Sequence, residues 1–190
     1  MENQRTRLSK RLLKESLIEL LKNKDILKLS IREICETAEI NRTTFYKYYG
    51  SQFDLLKDIE NDIFEQIGKK LELTDDKGNS LLRKRLVNIL IYFQDNLEIC
   101  RILLNTNIDE EFPEKLFKIP AIRSNLNKHL ANGNLTKDEV EYIIEFIIKG
   151  GFSIVKKWLN KEKRESPQEL SDFIIQLVFK PISKFKQLKF

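Results

Sequence analysis

The chain is poor in the residues that most often carry catalytic or metal chemistry. Its 190 residues include two cysteines, Cys35 and Cys100, and one histidine, His129. Both cysteines lie in apolar sequence, so we expect buried hydrophobic side chains rather than a disulfide. One histidine without neighbouring ligands does not predict a metal site. Since the sequence also has no His-centred triad, Cys–His pair or glycine-rich phosphate loop, we expect neither an enzyme nor a bound cofactor.

Glycine and proline are also scarce, with six and four residues. This scarcity disfavours a loop-rich β protein, and the abundance of Leu, Ile, Lys and Glu favours helices. No apolar run approaches the roughly 18–20 residues that a membrane-spanning helix needs. The N-terminal stretch MENQRTRLSKR lacks the apolar core of a signal peptide. We therefore expect an all-α protein of the cytoplasm with no membrane partner.

The net charge of +5 is unevenly distributed along the chain. Residues 1–50 carry eleven Lys and Arg against seven Asp and Glu, a net charge of +4, which leaves +1 for residues 51–190. The front of the chain holds a group of cations: Arg5, Arg7, Lys10, Arg11 and Lys14. Such a concentration is typical of proteins that bind a polyanion, although a solvated helix face gives the same pattern.

Apolar residues at three- and four-residue spacing predict helices along most of the chain. Ser30 and Glu33 have the spacing of a capping box, and Asn41 is a suitable N-cap. In the first quarter of the chain, helices are expected over 6–22, 31–38 and 42–48. Beyond it, loops are expected over 73–80 and 108–115. Further helices are expected over 51–72, 80–94, 96–106 and 114–132, from Thr136 onwards and from Ser166 onwards. The helix from Thr136 is expected to continue through Gly150 and Gly151, because small residues let a neighbouring helix approach closely. The alternative is a kink at the two glycines.

The two short helices, separated by a three-residue turn, predict a helix-turn-helix. They cannot bury much surface by themselves, but the flanking helices can hold them with one side of the second helix free. Phe45 and Tyr49, four residues apart, are expected to point inward. Thr43, Tyr46 and Lys47 then face outward. The major groove of B-DNA, about 12 Å wide, admits one such helix.

The segment INRTTFYKYYG (40–50) offers side chains suited to duplex DNA. Three lie at the N-terminal end of the expected helix, where base edges are within reach: Arg42, Thr43 and Thr44. Three more are expected to reach phosphates on the groove walls: Tyr46, Lys47 and Tyr48. The cations at the front of the chain would add phosphate or minor-groove contacts: Arg5, Arg7 and Lys10. The alternative is that the aromatic residues only pack helices together.

The segment LSIREICETAEINRTTFYKYYGSQFDLLKDIE (29–60) resembles the DNA-binding domain of the TetR/AcrR family of bacterial transcriptional regulators. The matching positions are Ser30, Ile34-Cys35, Ala38-Glu39-Ile40, Thr44-Phe45-Tyr46, Tyr48-Tyr49 and Leu55-Leu56, within a resemblance that covers residues 6–60. The resemblance implies phosphate or sugar contacts from Ser30, Thr44, Tyr46 and Tyr48. It implies base or groove contacts from Arg42, Thr43 and Lys47.

Three positions depart from the family pattern. Glu39 replaces the glycine of the turn, so the turn is expected to form without an easily adopted positive φ. Gln52 replaces a lysine that in the family often meets a phosphate, which removes one expected charged contact. Tyr49 replaces the usual phenylalanine.

The same resemblance implies two domains. Residues 1–50 would form the three-helix DNA-binding domain, 51–72 a connecting helix, and 73–190 a helical effector-binding and dimerisation domain. The segment 150–170 also resembles the C-terminal region of a subgroup near regulators of dihydroxyacetone kinase genes. The last two helices would form a four-helix bundle with a second copy, although part of their apolar stripe must belong to the monomer core. The expected stripe is Ile144, Ile147, Ile148, Phe152, Val155, Trp158, Phe173, Leu177 and Val178.

The leading hypothesis is a homodimeric repressor of transcription that responds to a ligand. Two recognition helices would read a pseudo-palindromic operator, with half-sites about 34–36 Å apart. A small apolar effector in the C-terminal domain would shift the spacing of the two DNA-binding heads, with a coupling of about 1–3 kcal/mol. The alternative is a DNA-binding or interaction protein that works without a ligand, in chromosome organisation or as a scaffold.

Overall fold

In a computed structural model of the chain, residues 3–72, 79–105, 115 and 135–185 are described. All regular structure within these ranges is helical, which confirms the expected all-α class. The chain divides into two compact units, and in its first half the boundary falls between Ile63 and Phe64. This boundary lies inside a continuous helix, Gln52–Glu72.

The first unit is built from short helices around a small apolar core. Its elements are α1 (Gln4–Leu21), a 3₁₀ turn (Ile26–Lys28), α2 (Ile31–Thr37), α3 (Arg42–Tyr48) and the N-terminal part of α4 (Gln52–Glu72). The first three α-helices pack against one another. Their core consists of side chains with no exposed surface: Leu13, Leu17, Ile26, Ile34, Phe45 and Leu55. The helices begin and end within two residues of the expected positions.

The second unit contains longer helices. These are the rest of α4, then α5 (Asn79–Asp95), α6 (Leu97–Asn105), α7 (Lys137–Leu159) and α8 (Pro167–Phe185). α5 packs against α8, where Arg83 Nε donates to Asp172 Oδ1 over 2.5 Å and a second guanidinium nitrogen donates to Asp172 Oδ2 over 2.8 Å. Trp158 is buried, and its Nε1 donates to the carbonyl of Glu165 over 2.9 Å.

α7 continues without a break through Gly150 and Gly151, as expected. It begins with a capping box, in which Thr136 and Glu139 satisfy each other's backbone N–H groups. A neighbouring helix close to the two glycines was also expected. Outside α7 itself, however, no atom of the described part of the chain lies within 4 Å of a Cβ placed at either glycine.

The apolar stripe of α7 and α8 is divided between the core and the surface. Four of its residues are buried within the second unit, so they belong to the core of the single chain: Ile147, Ile148, Val155 and Trp158. Phe173 and Leu177 on α8 are exposed, at 56% and 49%. α7 also exposes Tyr142 and Phe146, at 73% and 75%, which the sequence pattern did not single out.

Both cysteines, Cys35 and Cys100, are free and buried, as expected. Burial raises the pKa of the Cys100 thiol to about 12. The helix expected over 114–132, which includes His129, lies outside the described residues except for Lys115. Most of the loops expected over 73–80 and 108–115 also lies outside them. None of the helices in the described ranges is long and apolar enough to cross a membrane.

Candidate nucleic-acid interface

The start of α2 is fixed by the predicted capping box. The backbone N–H of Glu33 donates to Ser30 Oγ over 3.2 Å, while the backbone N–H of Ser30 donates to Glu33 Oε2 over 3.0 Å. Ser30 Oγ donates to the same Oε2 over 2.8 Å, and Lys24 Nζ donates to Glu33 Oε1 over 2.5 Å. The hydrogen bond from Lys24, followed by those from Ser30, lowers the pKa of Glu33 to about 2.

This capping box bears on the phosphate contact expected from Ser30. Its backbone N–H and its hydroxyl both donate to Glu33. Both donors therefore serve the start of α2 in this structure, and the phosphate contact expected from Ser30 stays a prediction.

The turn from α2 to α3 contains a positive φ at a residue other than glycine. Glu39 has φ 54°, in the left-handed region where a Cβ approaches the following carbonyl oxygen. The N–H of Ile40 donates to the carbonyl of Cys35 over 2.9 Å, and that of Glu39 to Glu36 over 3.3 Å. This is the Schellman pattern, which satisfies the last carbonyls of a helix and requires a left-handed residue. Glu39 thus adopts the conformation for which the family pattern has glycine.

The inward face of α3 is held by two aromatic residues, as predicted. Phe45 has no exposed surface and Tyr49 has 6%. The Tyr49 hydroxyl donates to Asp58 Oδ2 on α4 over 2.7 Å. Lys14 Nζ of α1 lies 2.9 Å from the same Oδ2 and 2.6 Å from Asp62 Oδ2. One polar junction therefore connects α1, the end of α3 and α4.

Burial alone would raise the pKa of Asp58, but hydrogen bonds from Lys14 and Tyr49 outweigh it, and the pKa lies below its usual value. This junction was not among the contacts predicted from the sequence. A signal was present in Asp54, Asp58 and Asp62, whose four-residue spacing places three carboxylates on one face of α4. Asp54 Oδ2 accepts the N–H of Gly50 over 3.0 Å, at the start of the same helix.

The outward face of α3 presents a mixed polar and aromatic surface. The helix has seven residues and begins at the predicted N-cap, where Asn41 Oδ1 accepts the N–H of Thr43 over 2.9 Å. Four of the predicted site residues on it are exposed: Arg42, Thr43, Tyr46 and Lys47. Two others are half-buried: Thr44 and Tyr48. Such a helix can place a cation, hydroxyls and a ring in the major groove.

The N-terminal end of α1 lies close to α3. The Tyr48 hydroxyl is 3.4 Å from Thr6 Oγ1, and Lys10 Nζ lies 5.8 Å from the centroid of the Tyr48 ring. Arg5 and Arg7, on the same end of α1, are exposed. The structure thus brings Lys10 next to the end of α3. Thr6 was not among the predicted site residues.

A family model and a curated relative both describe transcriptional regulators. A TetR family model, described as a transcriptional regulator C-terminal region, matches residues 82–180, just over half of the chain. A curated relative in Bacillus subtilis (strain 168) is described as an uncharacterized HTH-type transcriptional regulator, YxbF. It is 25% identical over 169 residues, which cover 87% of this chain and 43% of that protein. The chain therefore spans less than half the length of this relative.

Solved structures show the same fold. A TetR transcriptional regulator from Streptococcus agalactiae 2603V has a TM-score of 0.73 and 21% identity, covering 93% of this chain and 96% of that one. The dihydroxyacetone kinase operon activator DhaS has a TM-score of 0.60 and 18% identity, covering 93% and 97%. The fatty acid degradation regulator FadR from Bacillus halodurans has a TM-score of 0.60 and 13% identity, covering 89% and 97%.

TetR regulators bind DNA operators and dimerise. The family model matches the second half of this chain, and the first half contains two short helices joined by a tight turn, with the polar face of α3 exposed. The family match and this helix-turn-helix together show that the chain belongs to the TetR family of transcriptional regulators.

Proposed function

We propose that this protein is a homodimeric, ligand-responsive repressor that reads a pseudo-palindromic operator with the outward face of α3. The observation that carries the proposal is the division of α3 into two faces. Phe45 and Tyr49 hold the helix in the first unit, while Tyr46, at 58% exposure, and Lys47 point away from it. A helix held on one side and polar on the other fits the width of the major groove, about 12 Å.

The proposed contacts fall into two classes. Arg42, Thr43 and Thr44, at the N-terminal end of α3, would reach base edges and determine sequence preference. A second set would bind phosphates and determine register: Tyr46, Lys47, Tyr48, Arg5, Arg7 and Lys10. Ser30 supports the interface by capping α2, since both of its donors are engaged with Glu33.

DNA binding is tested by selecting genomic fragments with the purified protein and measuring the dissociation constant over a salt series. Lys47→Ala should weaken binding and lower the slope of log K against log salt by about 0.9, the value for one phosphate. Tyr46→Ala should also weaken binding. Lys69→Ala is the matched control, because Lys69 is an exposed helical lysine of the second unit that pairs with Glu65. If neither α3 variant weakens binding, the assignment of α3 is wrong.

Dimerisation is proposed to use the exposed apolar residues of α7 and α8. Phe173 and Leu177 are about half exposed and lie four residues apart on α8, so they share one face of the helix. Adjacent exposed apolar side chains are typical of interaction sites. Leu177→Glu should convert dimers to monomers in sedimentation velocity. Gln168→Glu adds the same charge at an exposed polar position of α8 and should leave the dimer intact. Monomers for the unmodified chain at high concentration would refute the dimer.

The ligand response is proposed for the helical second unit. A small apolar compound that binds the folded protein at 100 times its Kd should stabilise it by about 2.7 kcal/mol. The same compound should weaken operator binding by about 5- to 150-fold. A panel of compounds screened by thermal shift and then by DNA binding tests both effects. A ligand-independent DNA-binding protein would show neither.

The sign of regulation is tested with a reporter gene under the selected operator. Removal of the regulator should raise expression if it is a repressor. DhaS, which shares the fold, is described as an operon activator. If expression falls when the regulator is removed, this protein is an activator and not a repressor.

A further inference from the structure

The helix α3 has little buried surface of its own. Of its seven residues, Phe45 is the one whose side chain is buried. A segment with so few buried apolar contacts moves easily unless its ends are fixed. The N-terminal end is held by the turn at Glu39 and by the N-cap Asn41. At the other end Tyr49 follows the helix, and its ring packs against Phe45 with the centroids 5.7 Å apart.

This C-terminal end is also fixed by a hydrogen bond. Tyr49 is 6% exposed, and its hydroxyl donates to Asp58 Oδ2 on α4 over 2.7 Å. Hydrogen bonds to an ionised acceptor are the stronger kind. Asp58 is held in turn by α1, since Lys14 Nζ lies 2.9 Å from the same oxygen and donates to the Asp58 carbonyl over 3.5 Å. A phenylalanine at position 49 would fill the same space without this connection.

We propose that the Tyr49 hydroxyl is a positioning group for sequence recognition, which through Asp58 sets the angle at which α3 presents its N-terminal side chains to base edges. The side chains concerned are Arg42, Thr43 and Thr44. This inference rests on the proposed DNA binding and deepens it. It assigns part of the sequence preference to a residue that is buried against α4 and does not touch DNA.

Base contacts and phosphate contacts respond differently to a change in the angle of α3. A base contact requires a donor and an acceptor about 2.7–3.2 Å apart and well aligned, so a small tilt of the helix breaks it. A lysine on a flexible stem can follow a phosphate through the same tilt. One good base contact contributes about 5- to 150-fold to discrimination between sequences. Loss of the Tyr49 hydroxyl should therefore lower sequence preference and spare non-specific binding.

Tyr49→Phe tests the inference without a change of charge. Two probes are compared, a genomic fragment selected by the unmodified protein and a mixed-sequence duplex, and the ratio of the two affinities is the operator preference. The variant should bind the selected fragment at least about fivefold more weakly. It should bind the mixed-sequence duplex within about twofold of the unmodified protein and with the same salt slope. A loss of folded protein would instead weaken binding to both probes equally.

A mutant cycle tests whether the hydroxyl acts through Asp58. In the Asp58→Ala protein, Lys14 still has Asp62, whose Oδ2 lies 2.6 Å from its Nζ. Tyr49→Phe should then change the operator preference by less than about twofold, because its partner is already absent. Asp95→Ala is the matched control, since it removes an exposed carboxylate from α5 in the second unit. In that background Tyr49→Phe should keep its full effect.

Two results would overturn the inference. One is an operator preference that Tyr49→Phe leaves unchanged. The other is a full effect of Tyr49→Phe in the Asp58→Ala background, which would mean that the hydroxyl acts elsewhere. If the unmodified protein binds no duplex at low salt, or binds both probes equally, the proposed function fails first and the inference fails with it. The two failures are distinguishable, because the second appears in the unmodified protein.

Thermal unfolding shows whether Tyr49→Phe is folded at the temperature of the binding assay. If it is not, Asp58→Asn and Asp58→Ala decide. Asparagine keeps an oxygen that can accept the Tyr49 hydroxyl, whereas alanine does not. Asp58→Asn should therefore retain more of the operator preference than Asp58→Ala, and equal losses in the two variants refute the inference.

Discussion

Two tyrosine–lysine groups lie side by side at the end of α3, and they face different partners. Tyr49 points inward, and its hydroxyl shares the carboxylate of Asp58 with Lys14. Tyr48, the preceding residue, lies beneath two lysines, one of them Lys10. Consecutive residues of a helix are about 100° apart, which places the two rings on different sides of α3. The same residue types therefore serve packing on one side and an exposed positive surface on the other.

The role of each lysine depends on the group that it contacts, which is a carboxylate on one side and an aromatic ring on the other. Between two carboxylates, Lys14 is neutralised, and it connects helices of the first unit. A ring face attracts an ammonium group without balancing its charge and without taking one of its N–H donors. The net charge of residues 1–50 does not distinguish a lysine that is paired with carboxylates from one that lies over a ring. Substitutions on the two sides should therefore separate stability from DNA binding.

The largest effect on stability is expected at the inward face. Phe45 has no exposed surface, so Phe45→Ala should lower the free energy of unfolding by about 3–5 kcal/mol, because it leaves a cavity in the first unit. Its neighbour Tyr46 is 58% exposed, and Tyr46→Ala should change the same quantity by less than about 0.5 kcal/mol. Urea unfolding measures both, and equal losses would contradict the division of α3 into two faces.

A smaller loss is expected at the polar junction. Lys14→Met leaves Asp58 and Asp62 without their shared cation. Because Lys14 is 17% and Asp58 34% exposed, we expect a loss of about 1–2 kcal/mol, below the range for a fully buried pair. The control Lys57→Met, at an exposed position of α4, should cost less than about 0.5 kcal/mol. A larger loss for Lys57→Met than for Lys14→Met in urea unfolding would reverse the comparison.

The junction also contributes to acid stability. The pKa of Asp58 is lowered in the folded state, so its contribution is present above the unfolded value, near 3.8, and disappears as the pH falls through the folded value. Lys14→Met removes one cause of this lowering. The variant should therefore show a weaker loss of stability over this acidic range than the unmodified protein.

Local patterns were enough to predict much of the first unit. The capping box at Ser30 and Glu33, the N-cap Asn41, and the inward positions of Phe45 and Tyr49 depend on residues close together in sequence. Each follows from hydrogen-bonding capacity or from the 3.6-residue period, without knowledge of the tertiary fold.

Long-range contacts could not be predicted in the same way. Lys14 and Asp58 are 44 residues apart, and several helical lysines could have paired with the acidic face of α4. The stripe of α7 and α8 had no local mark that separates core positions such as Trp158 from exposed ones such as Phe173. Which side of an apolar helix is covered depends on the helices around it, and the periodicity gives only the stripe.

A gain in stability is predicted for a substitution at Glu39, in the turn between α2 and α3. Glu39 has φ 54°, a conformation that is unfavourable for a residue with a Cβ and easily adopted by glycine. Glu39→Gly should raise the free energy of unfolding by about 0.5–1 kcal/mol, after the greater freedom of glycine in the unfolded chain is subtracted. Glu39→Ala keeps the Cβ and should give no such gain. If both variants stabilise equally, the carboxylate and not the backbone is responsible.

The smallest effect is expected at the exposed lysine–carboxylate pair of Lys24 and Glu33, the surface counterpart of the Lys14 junction. The pKa of Glu33 is about 2 in the folded protein against 4.5 as the ordinary value. Its ionised form therefore stabilises the fold above about pH 4.5, and this contribution is lost as the pH falls from there to about 2. Glu33→Gln should be less stable than the unmodified protein at pH 7, and the two should converge near pH 2. Urea midpoints across this range measure the difference, and Lys24→Met, which removes the largest cause of the shift, should reproduce most of it. A difference that stays constant with pH would mean that the capping geometry alone stabilises α2, because glutamine can form the same capping box without a charge.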